Sequence, residues 1–139
     1  TLTPGTNYYL HVFGEDVGGA PSGFLGSFSL SDNSFSFVNG TQALNSNTTD
    51  WQVSRTGFGS GYAAPYSHGN NGVPPWGYSH PDIAASAQWV WTGNEVGTAY
   101  FSTPIVANVA PVPEPMTALM LLSGLGLLGL QRQRKSQTA

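Results

Sequence analysis

Two histidines and an aspartate that lie near one another in the sequence are the residues best suited to chemistry. His68, His80 and Asp82 fall within a stretch of fifteen residues. Imidazole and carboxylate groups can ligate a transition metal or act as general acid and base. A metal site also needs a third strong ligand at a defined spacing, which this stretch lacks. We therefore predict no metal and no cofactor, and keep a hydrolase with its site at these three residues as an alternative.

The same stretch contains aromatic side chains that could bind a carbohydrate. Tyr66, Trp76 and Tyr78 lie among glycines and asparagines. Flat aromatic rings can stack on the apolar faces of sugar rings, while the side chains of Asn70, Asn71 and Asp82 could hydrogen-bond the hydroxyls. Alternatively, the three rings cover the hydrophobic core beneath a loop. A carbohydrate-binding module that uses Tyr66, Trp76 and Tyr78 is therefore a second functional hypothesis.

The charges and the missing motifs exclude several classes of protein. Residues 1–111 carry six acidic side chains and one base, Arg55, whereas Arg132, Arg134 and Lys135 lie in the last eight residues. Such an acidic body lacks the cationic surface that dominates nucleic-acid binding, so we expect no nucleic-acid partner. The chain has no cysteine, which excludes disulfides and cysteine-ligated zinc. It also has no recognisable nucleophile motif or phosphate-binding loop, so we predict that it is not an enzyme.

An uncharged apolar run near the C-terminus predicts a helix that inserts into a membrane. Residues 116–130 contain no charged side chain, and basic residues follow them. In lipid every backbone polar group must be hydrogen-bonded internally, which requires a helix. At ~1.5 Å per residue the run reaches ~22 Å and falls short of the ~30 Å hydrocarbon core, so Arg132 must snorkel to the interface. The residues that mark the predicted helix are Met116, Leu119, Leu122, Gly124, Gly126 and Leu130.

The basic residues orient this predicted helix. By the positive-inside rule, Arg132, Arg134 and Lys135 stay in the cytoplasm, and the acidic body lies outside. The alternative is a helix buried in the core of a soluble domain. Glycines such as Gly124 and Gly126 fit that alternative poorly, because each lowers the stability of a soluble helix by ~1 kcal/mol relative to alanine.

The segment before the apolar run is rich in proline. Pro111, Pro113 and Pro115 prevent a helix and favour an extended polyproline II backbone, which a protease can reach. Pro113, Glu114 and Pro115, then a short Leu- and Gly-rich run, then terminal bases, form a three-part tail. This tail resembles the PEP-CTERM sorting signal of Gram-negative bacteria.

The resemblance implies a route and partners for the protein. It implies export, directed by a signal peptide upstream of Thr1, with the C-terminal helix holding the chain in the inner membrane. It also implies processing of the tail by an exosortase-type protease, with Pro113, Glu114 and Pro115 as substrate. The mature protein would then belong to the cell surface or to the extracellular matrix of exopolysaccharide and biofilm. These implications form the leading functional hypothesis.

Short alternating segments separated by turn residues predict an all-β body. Residues with high strand propensity alternate with polar ones over six segments, which are 8–13, 24–30, 35–37, 51–53, 87–91 and 98–103. Six short strands predict a small antiparallel β-sandwich, similar to a jelly roll, with one C-terminal hydrophobic helix added. We expect the first strands of the sandwich to lie upstream of Thr1, which would leave an exposed edge.

The predicted organisation has four parts. They are a β-sandwich body at 1–103 with a long loop at 55–82, a Pro-rich tether at 104–115, a transmembrane helix at 116–130 and a basic cytoplasmic tail at 131–139. Because the loop contains several aromatic residues, we expect it to be folded across one face of the body.

Two segments of the body also resemble a known domain type. Residues 87–91, Ala-Gln-Trp-Val-Trp, and residues 98–102, Thr-Ala-Tyr-Phe-Ser, are similar to a pair of strands in galactose-binding-like sandwich domains. The likeness is short, and it implies a fold more than a ligand.

Overall fold

The computed structural model describes residues 2–108 and 120–125. The chain divides into two compact units, Thr1–Asn108 and Val109–Ala139. The first unit contains eight strands. They are β1 (Tyr8–Asp16), β2 (Ser27–Ser29), β3 (Phe35–Phe37), β4 (Ala43–Asn45), β5 (Gln52–Ser54), β6 (Tyr66–Asn70), β7 (Gln88–Trp91) and β8 (Gly97–Ala107). All the strand pairs are antiparallel, which confirms the all-β prediction.

Strand β8 is the centre of a four-stranded sheet. One of its edges pairs with β1 along the full length of β1, from Tyr8 opposite Ile105 to Asp16 opposite Gly97. Its other edge pairs with β5 and then with β3. Pro104 falls between these two partners, where no ladder bond is required on that side, so its missing N–H is tolerated.

The remaining strands form two two-stranded ladders, β2 with β4 and β6 with β7. The segment before β2 joins β7 through a bridge between Phe24 and Val90. The hydrophobic core draws side chains from the four-stranded sheet and from both ladders. Its buried members are Phe37, Leu44, Trp51, Val53, Val90, Trp91, Ala99 and Phe101.

Strand alternation decides which side chains of the central sheet enter this core. In β8, Ala99, Phe101 and Thr103 are fully buried on one face, and Tyr100 and Ser102 point to the opposite face. Small residues make room for the indole of Trp91 in the core. A Cβ added to Gly14 would lie 2.8 Å from Cη2 of Trp91, and Ala99 pairs with Gly14 in register.

Two strands were not predicted from the sequence. β4, Ala-Leu-Asn, has one large apolar residue and so shows no clear alternation, and β6 lies inside the expected loop at 55–82. The β6 sequence, Tyr-Ser-His-Gly-Asn, is polar and contains glycine, so its own propensity does not favour a strand. Its extended form comes from pairing with β7, interrupted by a register shift between Ser67 and Gly69. The expected loop is therefore two shorter loops separated by a strand.

The segments that resemble galactose-binding-like domains lie on β7 and β8. β7 pairs with β6, while β8 pairs with β1, β3 and β5, so the two segments belong to different ladders in the described part of the chain. The likeness to that domain type, and the sandwich arrangement itself, stay predictions.

Phe101 is the core residue whose loss should be most damaging. Its ring is fully buried and lies 5.0 Å from the ring of Phe24 and 5.8 Å from that of Trp91. We expect Phe101→Ala to lower the free energy of unfolding by about 3–5 kcal/mol, because it removes apolar contacts and leaves a cavity. Urea unfolding of a chain that ends at Asn108, followed by tryptophan fluorescence, measures this loss.

The matched control for this experiment is Val17→Ala. Val17 is 89 % exposed, so its truncation should change stability by no more than about 0.5 kcal/mol. A loss below about 1 kcal/mol for Phe101→Ala would contradict its placement at the centre of the core.

Candidate functional site

The face of the four-stranded sheet that points away from the core contains a groove, here called the outer groove. Its volume is about 450 Å³, within the range of known ligand sites. Strands β1, β5 and β8 supply its floor, and the loop after β5 supplies one wall. The residues that line it are Tyr9, His11, Gln52, Phe58, Gly59, Tyr62, Ser102 and Pro104.

Strand register places three polar side chains in one row across the floor of the outer groove. His11 on β1 pairs with Ser102 on β8, and Ser102 pairs on its other side with Gln52 on β5. Adjacent strands lie about 4.8 Å apart, so the row presents an imidazole, a hydroxyl and an amide at regular intervals. Ser102 is at the bottom of the groove, since it is only 5 % exposed.

Aromatic rings rise on both sides of this row. The rings of Tyr9 and His11 are parallel within 12°, with centroids 5.9 Å apart. On the opposite wall, the ring of Phe58 lies 4.4 Å from that of His11 and 5.1 Å from that of Tyr100, which it meets edge-on. Tyr9 and Phe58 are still 54 % and 43 % exposed. The groove therefore has aromatic surface available to a ligand.

The loop that carries Phe58 is held in place by local hydrogen bonds and by glycines. The backbone N–H of Gly59 donates to the hydroxyl of Tyr62 over 3.0 Å. Gly59 and Gly61 have φ of 90° and 63°, a left-handed backbone that side-chain-bearing residues rarely adopt. Before the turn, Arg55 forms an ion pair with Glu95 and donates to the carbonyl of Thr92. These contacts fix the wall without any contribution from a ligand.

The chemistry of the outer groove is neutral. No aspartate, glutamate, lysine or arginine is among the residues that line it in the described part of the chain. Between residues 2 and 108, no side-chain hydrogen bond engages Gln52 or Ser102, so both can bond a ligand. The arrangement can stack on rings and bond hydroxyls. It has no carboxylate to orient His11 as a base toward Ser102.

Sequence reasoning did not identify this groove. Alternation in residues 8–13 indicated that β1 has two partly apolar faces, and the outward Tyr9 and Phe13 were the available signal. The row of His11, Ser102 and Gln52 comes from three strands far apart in the chain, and the sequence alone does not give their register.

The residues that the sequence pointed to lie around a second feature, here called the indole stack, formed by Trp76 and Trp89. Their rings are parallel within 7°, with centroids 4.1 Å apart. One face of Trp76 is therefore covered by Trp89, itself buried. Tyr66 and Tyr78 are 49 % and 66 % exposed. The structure thus places Trp76 partly in a packing role and leaves the two tyrosines open to solvent.

The two histidines of this region contact different rings of the indole stack. His68 lies 5.0 Å from Tyr66 and 5.6 Å from Trp76, whereas His80 lies 4.7 Å from Tyr78 and 5.8 Å from Trp89, all measured between ring centroids. No three histidine, aspartate or glutamate side chains within residues 2–108 and 120–125 come together in a way that could hold a metal ion. His68, His80 and Asp82 therefore do not form a metal-binding group among the described residues.

The other polar groups near the indole stack differ in whether they are hydrogen-bonded to the protein. The side-chain amide of Asn71 donates to the carbonyls of His80 and Ile83 and accepts from the N–H of His80, at 2.9–3.0 Å. Asn71 thus holds the loop and is not free for a sugar hydroxyl. Nε2 of His68 and Nε1 of Trp89 are buried and have no hydrogen-bond partner among the described residues.

Most of the tail lies outside the described residues. That holds for the predicted sorting residues Pro113, Glu114 and Pro115, for the basic residues Arg132, Arg134 and Lys135, and for Met116, Leu119, Gly126 and Leu130 of the predicted helix. Leu122 and Gly124 lie in a helical stretch at 120–125, where Leu122 is exposed. Within the described ranges, no helix combines the length and the apolar content needed to cross a membrane.

Comparison with known families identifies the tail. Residues 111–135 match the family model of the PEP-CTERM protein-sorting motif. The chain carries a PEP-CTERM sorting signal. No curated protein and no solved structure matches the chain.

The PEP-CTERM match covers all three parts of the tail that the sequence singled out. It begins at Pro111, includes the Pro-Glu-Pro tripeptide and the apolar run, and ends at Lys135. The predicted PEP-CTERM resemblance is thereby confirmed. The signal indicates an exported protein that is anchored in the membrane through its C-terminus and targeted to an exosortase-type processing partner.

Gly23 should be essential for the indole stack. A Cβ at this position would lie 2.6 Å from Cζ2 of Trp76 and 2.9 Å from Cε3 of Trp89, so the rings would have to move apart. We expect Gly23→Ala to lower the free energy of unfolding by about 1–3 kcal/mol through overpacking. Urea unfolding reports that loss, and near-ultraviolet circular dichroism reports the separation of the two indoles.

Gly19→Ala is the matched control, because a Cβ at Gly19 meets nothing within 4 Å. It should leave the circular dichroism unchanged and the stability within about 0.5 kcal/mol. If Gly23→Ala and Gly19→Ala change the stability and the circular dichroism equally, the close contact at Gly23 is not the cause of those changes.

Proposed function

We propose that this PEP-CTERM protein is a component of an extracellular matrix that is rich in exopolysaccharide. In this proposal the β body lies outside the cell, and the exosortase-type partner removes the tail. The observation that carries the proposal is the three-part sorting signal at residues 111–135, joined to an all-β body. A body whose side chains carry few positive charges suits a matrix role better than binding to nucleic acid.

The proposal assigns a temporary anchoring role to the apolar run at 116–130. The run would hold the chain in the inner membrane until processing, with Arg132, Arg134 and Lys135 on the cytoplasmic side. Its shortness supports a transient span more than a permanent one, since it is shorter than the hydrocarbon core. Cleavage near Pro113–Pro115 would then free the body for the cell surface or the matrix.

We further propose that the body is not an enzyme. Two observations support this. His68 and His80 pack against different rings of the indole stack, and the residues that line the outer groove in the described part of the chain include no carboxylate. A hydrolase would need a base, a nucleophile and a group that orients the base within hydrogen-bond reach of one another.

Carbohydrate binding at the indole stack is the second candidate function. Tyr66 and Tyr78 are solvent-exposed beside the stacked indoles of Trp76 and Trp89. Their exposed rings are the feature that favours a ligand here, because a sugar ring can stack on them. In this version, Tyr66, Trp76 and Tyr78 would fix the body on exopolysaccharide.

Removal of the tail is the first consequence to measure. We expect the full precursor, made in a host with an exosortase, to yield a mature C-terminus within residues 113–116. In a host without the enzyme the C-terminus should stay at Ala139, and the protein should stay in the inner-membrane fraction. Intact-mass spectrometry of the fractionated protein determines both ends.

A variant with alanine at Pro113, Glu114 and Pro115 is the control for recognition, and it should remain unprocessed in the host that has the enzyme. If the wild-type chain ends at Ala139 in both hosts, the tail is a plain anchor, and the matrix proposal loses its main support. Recovery of the processed protein in the washed matrix fraction is the result expected for a matrix component.

The second candidate function predicts that exposed tyrosines contribute to polysaccharide binding. The double variant Tyr66→Ala/Tyr78→Ala removes both exposed rings and keeps Trp76 on Trp89. We expect it to reduce retention on matrix polysaccharide by about tenfold in a pull-down, because each aromatic ring removed supplies contact area with few rotamers to restrain. Val17→Ala is the matched surface control. Unchanged retention of the double variant would eliminate the indole stack as a sugar site.

A further inference from the structure

We propose that the outer groove binds a neutral polysaccharide chain, with Phe58 and Tyr9 stacking on its sugar rings and with Gln52, Ser102 and His11 bonding its hydroxyls. This site is separate from the indole stack, because the two share no residue. The inference rests on the proposed matrix function and adds to it the chemical class of the polymer and the residues that hold it.

The aromatic walls of the groove require a ligand with an apolar flat surface. Tyr9 and Phe58 lie on opposite sides of the polar row, and about half of each side chain is exposed. Phe58 makes an edge-on contact with Tyr100, which supports its ring at the groove. The two half-exposed rings offer apolar surface that a ligand can cover.

The floor of the groove requires the same ligand to be polar at its edges. The imidazole of His11, the hydroxyl of Ser102 and the amide of Gln52 present both donors and acceptors. Strand pairing holds all three in a straight row, so no conformational change is needed to align them. A sugar ring has this combination of apolar C–H faces and a periphery of hydroxyls. A purely apolar molecule would leave the row unpaired, at a cost in affinity.

The absence of charge from the lining distinguishes neutral polymers from acidic ones. No aspartate, glutamate, lysine or arginine lines the groove in the described part of the chain. A uronate or sulfate group would lose its hydration without gaining a cationic partner, which disfavours it. A peptide that binds by adding a strand would need a free sheet edge, whereas this groove lies on the face of a sheet.

The test is calorimetric titration of the full chain, held in sugar-free lauryldimethylamine-oxide micelles. The ligands are four neutral hexasaccharides (cellohexaose, xylohexaose, mannohexaose and isomaltohexaose) and one acidic hexamer, oligoguluronate. We expect saturable binding of at least one neutral ligand, and binding of the acidic hexamer at least about tenfold weaker. Phe58→Ala should weaken binding of the neutral ligand by about tenfold, and Gln52→Ala by a smaller factor.

Phe13→Ala is the matched control. Phe13 is an aromatic residue on the same strand face, 53 % exposed, that does not line the groove, so its removal should change affinity by less than about twofold. Each variant is compared with the wild type by urea unfolding, and Gln52→Ala keeps the test valid if Phe58→Ala fails to fold. The proposal is overturned if no neutral ligand binds, if the acidic hexamer binds better, or if Phe58→Ala and Gln52→Ala bind as the wild type does.

This experiment does not depend on the tail. Binding to purified chain is measured whether or not an exosortase cleaves the precursor. If the tail is processed normally but no ligand binds, the groove is ruled out as a polysaccharide site and the proposed matrix function stands. If a ligand binds but the tail is not processed, the matrix function loses its support and the groove proposal stands.

Discussion

The backbone pairing of β8 with three other strands is the interaction on which the body depends. β8 is hydrogen-bonded to β1 on one side and to β5 and β3 on the other. These pairings join segments from the beginning, middle and end of the body. Antiparallel pairing fixes which strands are adjacent and also which residues lie opposite each other. The same hydrogen bonds therefore decide which side chains face the core and which face outward.

Two neighbouring residues of β8 show this division. Phe101 enters the core between Phe24 and Trp91, and Ser102 forms the floor of the outer groove. A shift in register by one residue would exchange their faces, placing a hydroxyl in the core and a phenylalanine in the groove. Core packing therefore fixes the groove as well. The core needs Phe101, Val53 and Val12 on one face, and His11, Ser102 and Gln52 must then align on the other.

The sequence predicted strands where apolar and polar side chains alternate strongly. It did not predict strands where that alternation is weak. β1 and β8 are long and rich in tyrosine, phenylalanine and threonine, and β3 contains Phe35 and Phe37, so their patterns were visible. β4 has only one large apolar residue, Leu44. β6 contains Gly69 and His68, so its strand conformation is imposed by β7. The aromatic residues of the expected loop were evident from the sequence, but Trp76 stacks on Trp89, which no local pattern could indicate.

The sequence by itself determined the sorting signal, because that signal is linear. A Pro-Glu-Pro tripeptide, an apolar run and terminal bases act through their order along the chain, and the family match at 111–135 agrees with that order. Only the tertiary structure decided where a ligand could bind the body. The outer groove joins residues 11, 52 and 102, and their alignment depends on long-range strand register, which arises from the packing of the whole core and is not encoded in any one segment.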